Sequence, residues 1–336
     1  MNKQKATDVY GRPDRSRPKS KGYDAGLFIQ DEYAINPYLT LTPVLRWSYY
    51  NRKPTTDNND KFGLASRSDS KVTPGITLTL SPSKQLSFYA SVQTGYRPPF
   101  LDELYTSIEY PEFGMYSVVL PNPDLKPEES INVEIGVNGD YKSLFSDSDR
   151  FVFHANVFRD RVKNLINAGA TGDMDFTDDG DMILYYSIDN VGKALKTGFE
   201  ASADYYLGNA DFHLSYGYLH AEDKNTGEKI PGLTPMQATL RAGYTYKPWN
   251  VNGWYRMRLF KGGKSNLETA WNSGEYKQLG GFATHTLGLT WKPQIKDWAD
   301  FTLTFSVDNI TNKKFRYLNG GYGVGRSYRA WLSATF

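Results

Sequence analysis

The chain has 336 residues, and it lacks cysteine, a long apolar run and a net charge of any size. Without thiols it can form neither a disulfide framework nor a cysteine-ligated zinc or iron–sulfur site. Its 39 basic and 37 acidic side chains leave a net charge of +2, which argues against a nucleic-acid-binding protein. No window approaches the roughly 18 consecutive apolar residues of a membrane-spanning helix. We therefore expect neither a helical membrane protein nor a nucleic-acid partner.

Aromatic residues are plentiful, although the mean hydropathy of the chain is polar. The chain holds 25 Tyr, 18 Phe and 7 Trp, yet its mean hydropathy is -0.57. A transmembrane β-barrel has this composition, because its interior is polar and its two rims carry aromatic side chains. Residues 1–20 are charged and contain no apolar stretch of about 7–15 residues, so we expect no secretory signal peptide within the chain.

Apolar and polar residues alternate with a period of two along most of the chain. Ile76, Leu78 and Leu80 alternate with threonines, as Ile131, Val133 and their successors alternate with polar residues. Each such segment is close to the length that a tilted strand needs to cross a bilayer. Thirteen strands are predicted, at about 25–35, 39–50, 76–81, 86–93, 131–138, 151–160, 196–206, 212–219, 237–246, 251–260, 283–292, 301–308 and 327–336.

The connections between these segments alternate between short turns and long loops. The long ones run at about 52–70, 97–129, 162–194, 220–236, 261–281 and 311–326. Outer-membrane barrels have short periplasmic turns and long extracellular loops, so the alternation predicts an antiparallel transmembrane barrel. A soluble β-sandwich or propeller is the alternative. Charged residues such as Glu134, Glu200 and Arg241 on the polar side favour the membrane barrel, because they suit a wet interior.

Two sequence boxes flank one large loop. The boxes consist of Tyr96, Arg97, Pro98 and Pro99, and of Asn122, Pro123, Asp124 and Leu125. With these boxes the chain resembles TonB-dependent outer-membrane receptors. The resemblance implies a 22-stranded barrel, of which residues 23–336 supply about thirteen C-terminal strands, after an irregular segment at 1–22. It also implies that an N-terminal plug domain, through which such receptors contact TonB, is absent. We therefore expect a fragment that does not transport alone, or a nonfunctional remnant of a disrupted gene.

The last segment ends on an aromatic residue. Tyr328, Leu332 and Phe336 share one side of the predicted final strand. Within the family that the chain resembles, a terminal strand of this kind is the signal that the barrel-assembly machinery recognises. The resemblance thus implies two further partners, this machinery and the lipids of the outer membrane.

The resemblance is strongest to haem and haemoglobin receptors, which implies haem or a haem protein as the transported ligand. Such receptors are expected to carry a histidine ligand between the two boxes, but Phe100 to Pro121 contains none. A ferric-siderophore receptor is therefore the alternative. Tyrosine and methionine can also bind haem iron. The predicted ligand-binding residues are Tyr110, Tyr116, Met115 and Tyr105 in this loop and His220 at the top of a later strand.

Enzyme chemistry and a resident metal are not expected. No nucleophile elbow or acid–base pair stands out. The acidic stretch at 173–181 resembles the start of an EF-hand loop, but Tyr186 occupies the twelfth position, where a bidentate Glu belongs. We predict no permanently bound cofactor, and haem or a ferric chelate only as transported ligand.

Overall fold

The structure is a computed structural model that describes residues 19–54, 64–112, 115–190, 192–268, 275–293 and 299–335. For residues 110–112 and 168–170 it describes the backbone alone. Helical structure in these ranges is confined to α1 (Leu101–Tyr105) and a 3₁₀ turn at Lys247–Trp249. No helix in the described ranges is long and apolar enough to cross a membrane.

Strands make up most of the described chain. Their bounds are β1 (Ser20–Gln30), β2 (Tyr33–Asn36), β3 (Leu39–Pro54), β4 (Arg67–Ser83), β5 (Leu86–Arg97), β6 (Ile108–Glu112), β7 (Met115–Leu120), β8 (Glu128–Lys142), β9 (Asp149–Lys163), β10 (Ile166–Phe176), β11 (Met182–Asn190), β12 (Lys193–Leu207), β13 (Ala210–Asp223), β14 (Met236–Tyr246), β15 (Val251–Phe260), β16 (Gly263–Glu268), β17 (Tyr276–Leu279), β18 (Phe282–Trp291), β19 (Asp300–Asp308) and β20 (Ser327–Thr335).

One large antiparallel sheet, the wall sheet, organises the molecule. Its hydrogen-bonded order is β1-β3-β4-β5-β8-β9-β12-β13-β14-β15-β18-β19-β20, and β2 also pairs with β3. Because β1 and β2 together occupy the first predicted segment, the prediction of thirteen strands is confirmed. Within the described ranges β1 and β20 each pair with one neighbour, so both are edge strands. The predicted domain boundary at residue 22 falls inside β1, and residues 1–18 lie outside the described ranges.

The wall sheet has two chemically different faces. On the apolar face the side chains are exposed although they are hydrophobic: Ile135 is 58% exposed and Leu287 is 51% exposed. A contiguous apolar surface of this kind is rare on soluble monomers, because its contact with water costs free energy. The apolar face therefore calls for an apolar neighbour.

Buried or half-buried polar groups pair with one another on the polar face. Glu134 accepts hydrogen bonds from the hydroxyl of Tyr89 and from the amide of Asn156, the latter at 2.9 Å. Farther along the sheet, Asp308 accepts from Arg256 at 3.2 Å and from the hydroxyl of Thr286 at 3.0 Å. Such pairing offsets the cost of removing these groups from water.

The predicted alternation of short and long connections is confirmed. One end of the wall sheet carries tight turns, such as the one at 208–209, and we call it the short-turn end. The other end, the long-loop end, carries the long connections. Several strands extend further towards the long-loop end than the alternation predicts, as Arg52 and Arg67 still pair across β3 and β4. Backbone hydrogen bonds continue the ladder there because they do not depend on which side chains flank them.

The long connections contain strands that the sequence analysis does not predict. Those at 97–129 and 162–194 combine into a second sheet, the loop sheet, with the order β10-β11-β7-β6. Its central pair, β7 and β11, is parallel and joins two separate connections. A further connection holds the hairpin of β16 and β17. Most of these strands are short, and the pairing of β7 with β11 joins segments far apart in sequence, so local periodicity does not reveal the loop sheet.

One glycine of the wall sheet is required by close packing. A Cβ atom at Gly198 would lie 2.4 Å from the Phe158 ring and 2.6 Å from the carbonyl oxygen of Tyr218. At Gly253, in contrast, no atom lies within 4 Å of the corresponding position.

We predict that Gly198→Ala lowers the free energy of unfolding by about 1–3 kcal/mol, because a backbone oxygen cannot move aside as a side chain can. Gly253→Ala is the matched control and is expected to change it by less than about 0.5 kcal/mol. Denaturant unfolding of the chain in detergent micelles, followed by tryptophan fluorescence, measures both. Equal stabilities of the two variants would contradict the packing argument.

Candidate functional site

An arginine at the end of β5 joins three segments at the long-loop end. Arg97 donates to both carboxylate oxygens of Glu103 at 3.0 Å and to those of Glu128 at 2.8 and 2.7 Å. Glu103 also accepts from the backbone N–H of Phe100 at 2.8 Å, which caps α1. Glu128 accepts from the backbone N–H of Ile166, at the start of the second long connection. We call Arg97, Glu103 and Glu128 the arginine clamp.

A small hydrophobic core, the anchor cluster, lies beside the arginine clamp. It consists of Leu104, Tyr105 and Leu125, all at most 3% exposed. The first two belong to α1 and the third to the second sequence box, so the cluster closes the loop at its base. Partly buried residues packed against it are Leu64, Leu101, Ile166 and Ile188.

The first box packs against a buried arginine, Arg52, that is not among the predicted site residues. Arg52 is 5% exposed, and its guanidinium donates to the carbonyl oxygen of Pro99 at 3.2 Å and to the carboxylate of Asp24 at 2.8 Å. Tyr96 donates from its hydroxyl to Asp69 at 3.1 Å. A buried arginine needs this many acceptors, since its charge is otherwise costly to desolvate. Its position at the end of a strand, among tyrosines, gives no local sign of this role.

The second box connects the first long connection to the next one. The amide of Asn122 donates to the carbonyl oxygen of Ile188 at 3.0 Å, and Arg67 binds both the carbonyl oxygen of Pro123 and the carboxylate of Asp124. A few residues on, the backbone N–H of Lys126 donates to Asn190 at 2.8 Å, and the amide of Asn190 donates back to the carbonyl oxygen of Lys126 at 2.9 Å. Both boxes therefore hold loops in place, and their side chains are largely engaged in doing so.

Two of the predicted ligand-binding residues begin β7 of the loop sheet. Met115 and Tyr116 are half-buried and stand opposite Met182 and Ile183 of the parallel strand β11. Tyr110 lies opposite Ser117 in the register of β6 and β7, and its side chain is outside the described part of the structure. The loop sheet thus brings three of the four predicted loop residues together on adjacent strands.

The family description "TonB dependent receptor-like, beta-barrel" matches residues 2–310. The chain belongs to this family. The resemblance read from the two boxes is thereby confirmed, as is the all-β antiparallel fold. TonB-dependent receptors are outer-membrane receptors and transporters rather than enzymes, so the expectation that the chain is not an enzyme is also confirmed.

Similar proteins are longer than this chain. Heme/hemopexin utilization protein C of Haemophilus influenzae (strain 86-028NP) is 24% identical over 294 residues, which cover 83% of this chain and 38% of the relative. Hemoglobin and hemoglobin-haptoglobin-binding protein A of Haemophilus influenzae is 27% identical over 260 residues, covering 70% and 22%. A solved ferric enterobactin receptor mutant from Pseudomonas aeruginosa has the same fold, with a TM-score of 0.70, 20% identity and coverages of 94% and 45%. This TonB-dependent receptor chain thus spans less than two fifths of either curated relative.

Tyr105 is not placed as a ligand of an arriving molecule. It is 1% exposed, and its hydroxyl lies 3.1 Å from the carbonyl oxygen of Arg52 and 2.9 Å from that of Ala65. Burial raises the pKa of Tyr105 to about 12, which disfavours the phenolate that would bind iron. The geometry therefore places Tyr105 in the anchor cluster and does not favour the predicted ligand role, which stays a prediction.

His220 also occupies a different environment from the one predicted. It shares the apolar face with Leu214 and Tyr218 of β13, because the pairing of β12 and β13 runs without a shift to the end of the strand. Its Nε2 atom lies 3.3 Å from a carboxylate oxygen of Glu222. An alternating strand cannot present His220 to the polar face, and its role in meeting an arriving ligand stays a prediction.

The predicted assembly signal lies on an edge strand. Tyr328 is 68% exposed and Leu332 is 62% exposed, both on the same side of β20. Phe336 lies outside the described residues. The role of these residues in assembly stays a prediction.

We predict that Tyr105→Phe lowers the free energy of unfolding by about 1–3 kcal/mol, since the buried hydroxyl no longer donates to the carbonyl oxygens of Arg52 and Ala65 that it faces. Loop 98–127 should then be cleaved faster by chymotrypsin than in the unmodified chain. Tyr322→Phe is the control, because Tyr322 is 78% exposed. Unchanged cleavage of the Tyr105→Phe chain would show that the Tyr105 hydroxyl does not anchor the loop.

The arginine clamp predicts a pH dependence. Burial alone would raise the pKa of Glu128, but the hydrogen bonds from Arg97 and from the Ile166 backbone outweigh it and lower the pKa from its ordinary 4.5. A carboxyl whose pKa falls on folding stabilises the folded state above its unfolded-state pKa, and this contribution is lost as the pH falls through the folded-state value.

Glu128→Gln should therefore lower the thermal midpoint at pH 7, and the difference from the unmodified chain should shrink as the pH falls below 4.5. Thermal unfolding in micelles at a series of pH values measures this difference. Glu129→Gln, which removes a carboxylate from the opposite face, is the control. A difference that stays constant down to low pH would show that the charge of Glu128 is unimportant.

Proposed function

We propose that this chain forms part of the barrel wall and the loop cluster of an outer-membrane TonB-dependent receptor that takes up haem or a haem protein. The observation that carries the proposal is the similarity, over 70–83% of the chain, to relatives named for haem, hemopexin and haemoglobin. TonB would reach the barrel through a plug domain, which receptors of this family use for that contact.

The loop sheet supports this proposal by its construction. Two long connections are joined by the parallel pair of β7 and β11 and are held at their base by the arginine clamp and the anchor cluster. A platform ordered in this way loses little conformational entropy when a ligand binds. Tyr116 and Met115, which carry side chains able to bind haem iron, lie within it. Tyr110 stands at the neighbouring register position of β6.

A ferric-siderophore receptor is the second candidate. The stretch from Phe100 to Pro121 contains no histidine, and the polar face of the wall carries a cation–aromatic arrangement. The guanidinium carbons of Arg241 and Arg256 each lie 5.5 Å from the ring centroid of Trp254. Anionic aromatic chelates suit such a surface, because it offers both positive charge and a stacking plane.

The strand β20 supports the membrane assignment of the proposal. Its exposed Tyr328 and Leu332, together with Phe336, match the pattern that the barrel-assembly machinery reads, and we propose that machinery as a partner of this chain. The apolar face of the wall sheet would then lie against outer-membrane lipid.

The ligand is tested by titrating the full chain in maltoside micelles with haemin and, separately, with ferric enterobactin. We expect a Soret band shifted from that of free haemin, and in Tyr110→Phe/Tyr116→Phe an affinity lower by about 10-fold or more, the equivalent of about 1.4 kcal/mol. Tyr255→Phe, on the apolar face, is the matched control and should bind as the unmodified chain does.

Saturable binding of ferric enterobactin with no haemin signal would overturn the haem proposal in favour of the siderophore receptor. Unchanged haemin binding in the double variant would show that the two tyrosines do not bind haem. It would leave the haem proposal itself in place.

A further inference from the structure

Four basic side chains form a ladder on the apolar face near the long-loop end. Along β9 the exposed residues Arg159, Arg161 and Lys163 alternate with Asp160 and Val162, which point to the other face. The pairing of β9 with both neighbouring strands runs without a shift through this segment. Lys193 of β12 stands directly opposite Lys163. We call Arg159, Arg161, Lys163 and Lys193 the cationic ladder.

The cationic ladder lies at the upper margin of the hydrophobic surface. Two residues below Arg159 on the same face lies Val157, which is 51% exposed. Its register partners, Ile135 on β8 and Phe199 on β12, are also exposed. Two residues correspond to about 7 Å along a strand. Along β9 the face therefore changes from apolar to basic at Arg159. On β8 the exposed partners of Arg159 and Arg161, Val133 and Ile131, extend the apolar surface beside the first two cations. The row above them, with Glu129, Lys163 and Lys193, is wholly charged.

These four cations cannot turn to the polar face. At the same height that face is filled, because Val162 is 6% exposed and Ala194 is 2% exposed beneath the loops. None of the four side chains makes a hydrogen bond or an ion pair with any residue that the structure describes. In contrast, Arg97, Arg241 and Arg256 of the polar face each bind a carboxylate.

Neighbouring carboxylates on this face are already engaged. Glu129, which stands opposite Lys163, accepts from Lys71 at 2.9 Å. Glu222 accepts from Lys224 at 2.7 Å. Lys163 and Lys193 thus form a directly opposed pair of like charges, an arrangement that is destabilising unless an anion lies between them.

We propose that the cationic ladder binds the phosphate groups of lipid headgroups in the membrane leaflet at the long-loop end. The apolar row of Val157 then lies in the hydrocarbon layer, and the ladder reaches the headgroup level directly above it. Arginine and lysine suit this boundary, because their stems cover apolar surface while their charges reach the phosphates. A free phosphate ion would use the charges but not the apolar row, and charge next to lipid-facing surface is the feature that favours a lipid.

The inference rests on the membrane placement in the proposed function, but not on the transported ligand. The ladder faces away from the loop sheet and the polar face, so haemin binding should be the same with and without it. Loss of lipid binding and loss of haemin binding are therefore separate results.

The test measures binding of bisphosphorylated lipid A to the full chain in maltoside micelles, by native mass spectrometry and by the shift in thermal midpoint. We expect binding by the unmodified chain and an affinity at least about 20-fold lower in the variant Arg159→Gln/Arg161→Gln/Lys163→Gln/Lys193→Gln, since each cation contributes independently near an anionic surface. The matched control replaces four exposed lysines of other loops at the same end, in Lys261→Gln/Lys264→Gln/Lys313→Gln/Lys314→Gln. It should bind lipid A within about twofold of the unmodified chain.

A smaller variant keeps the proposal testable if the fourfold change prevents folding. Lys163→Gln/Lys193→Gln removes the opposed like charges, so without lipid it should unfold at a higher temperature than the unmodified chain. Lipid A should then raise its thermal midpoint by less than it raises that of the unmodified chain.

Three results would overturn the proposal. The first is an equal loss of lipid A binding in the control variant, which would show a nonspecific effect of net charge. The second is an equal shift with phosphatidylcholine, which would assign the effect to the apolar row alone. The third is an equal shift with inorganic phosphate, which would assign the ladder to a soluble anion.

Discussion

The pairing of backbone N–H and C=O groups between antiparallel strands is the constraint on which the rest of this structure depends. Where one face of a sheet meets lipid, no water is present to satisfy these groups, and the ladder has to be continuous. Continuity fixes the register, and the register sends alternate side chains to opposite faces. The apolar face, the polar network around Glu134 and the cationic ladder all follow from that alternation.

The same constraint explains why the loops are ordered at the long-loop end. Strands that extend beyond the apolar rows offer fixed positions to Arg52, Arg67 and Arg97. Each of these arginines binds a carbonyl or carboxylate group elsewhere in the chain. The anchor cluster adds apolar burial to the charged hydrogen bonds, so the two boxes act together as the base of the loop sheet.

Family membership bears on the function of the chain, whereas the geometry shows the structural role of the box residues. Membership relates the chain to receptors, several of which are named for haem or haemoglobin. The geometry shows that Arg97, Asn122 and Leu125 hold two long connections together. The structural role of the box residues is easy to identify, because their contacts lie within the chain.

The sequence by itself determined the antiparallel strands, their number in the wall sheet and the alternation of short and long connections. These properties are periodic and local, and each of the thirteen predicted strands pairs with the next predicted strand, so pattern and turn residues suffice to predict them. Only the tertiary structure decided that β7 lies parallel to β11, that Tyr105 is buried and that His220 lies on the apolar face. The first two depend on contacts between segments 40 to 67 residues apart, and the third on a register maintained to the very end of β13. Neither distant contact nor unbroken register leaves a mark in local composition.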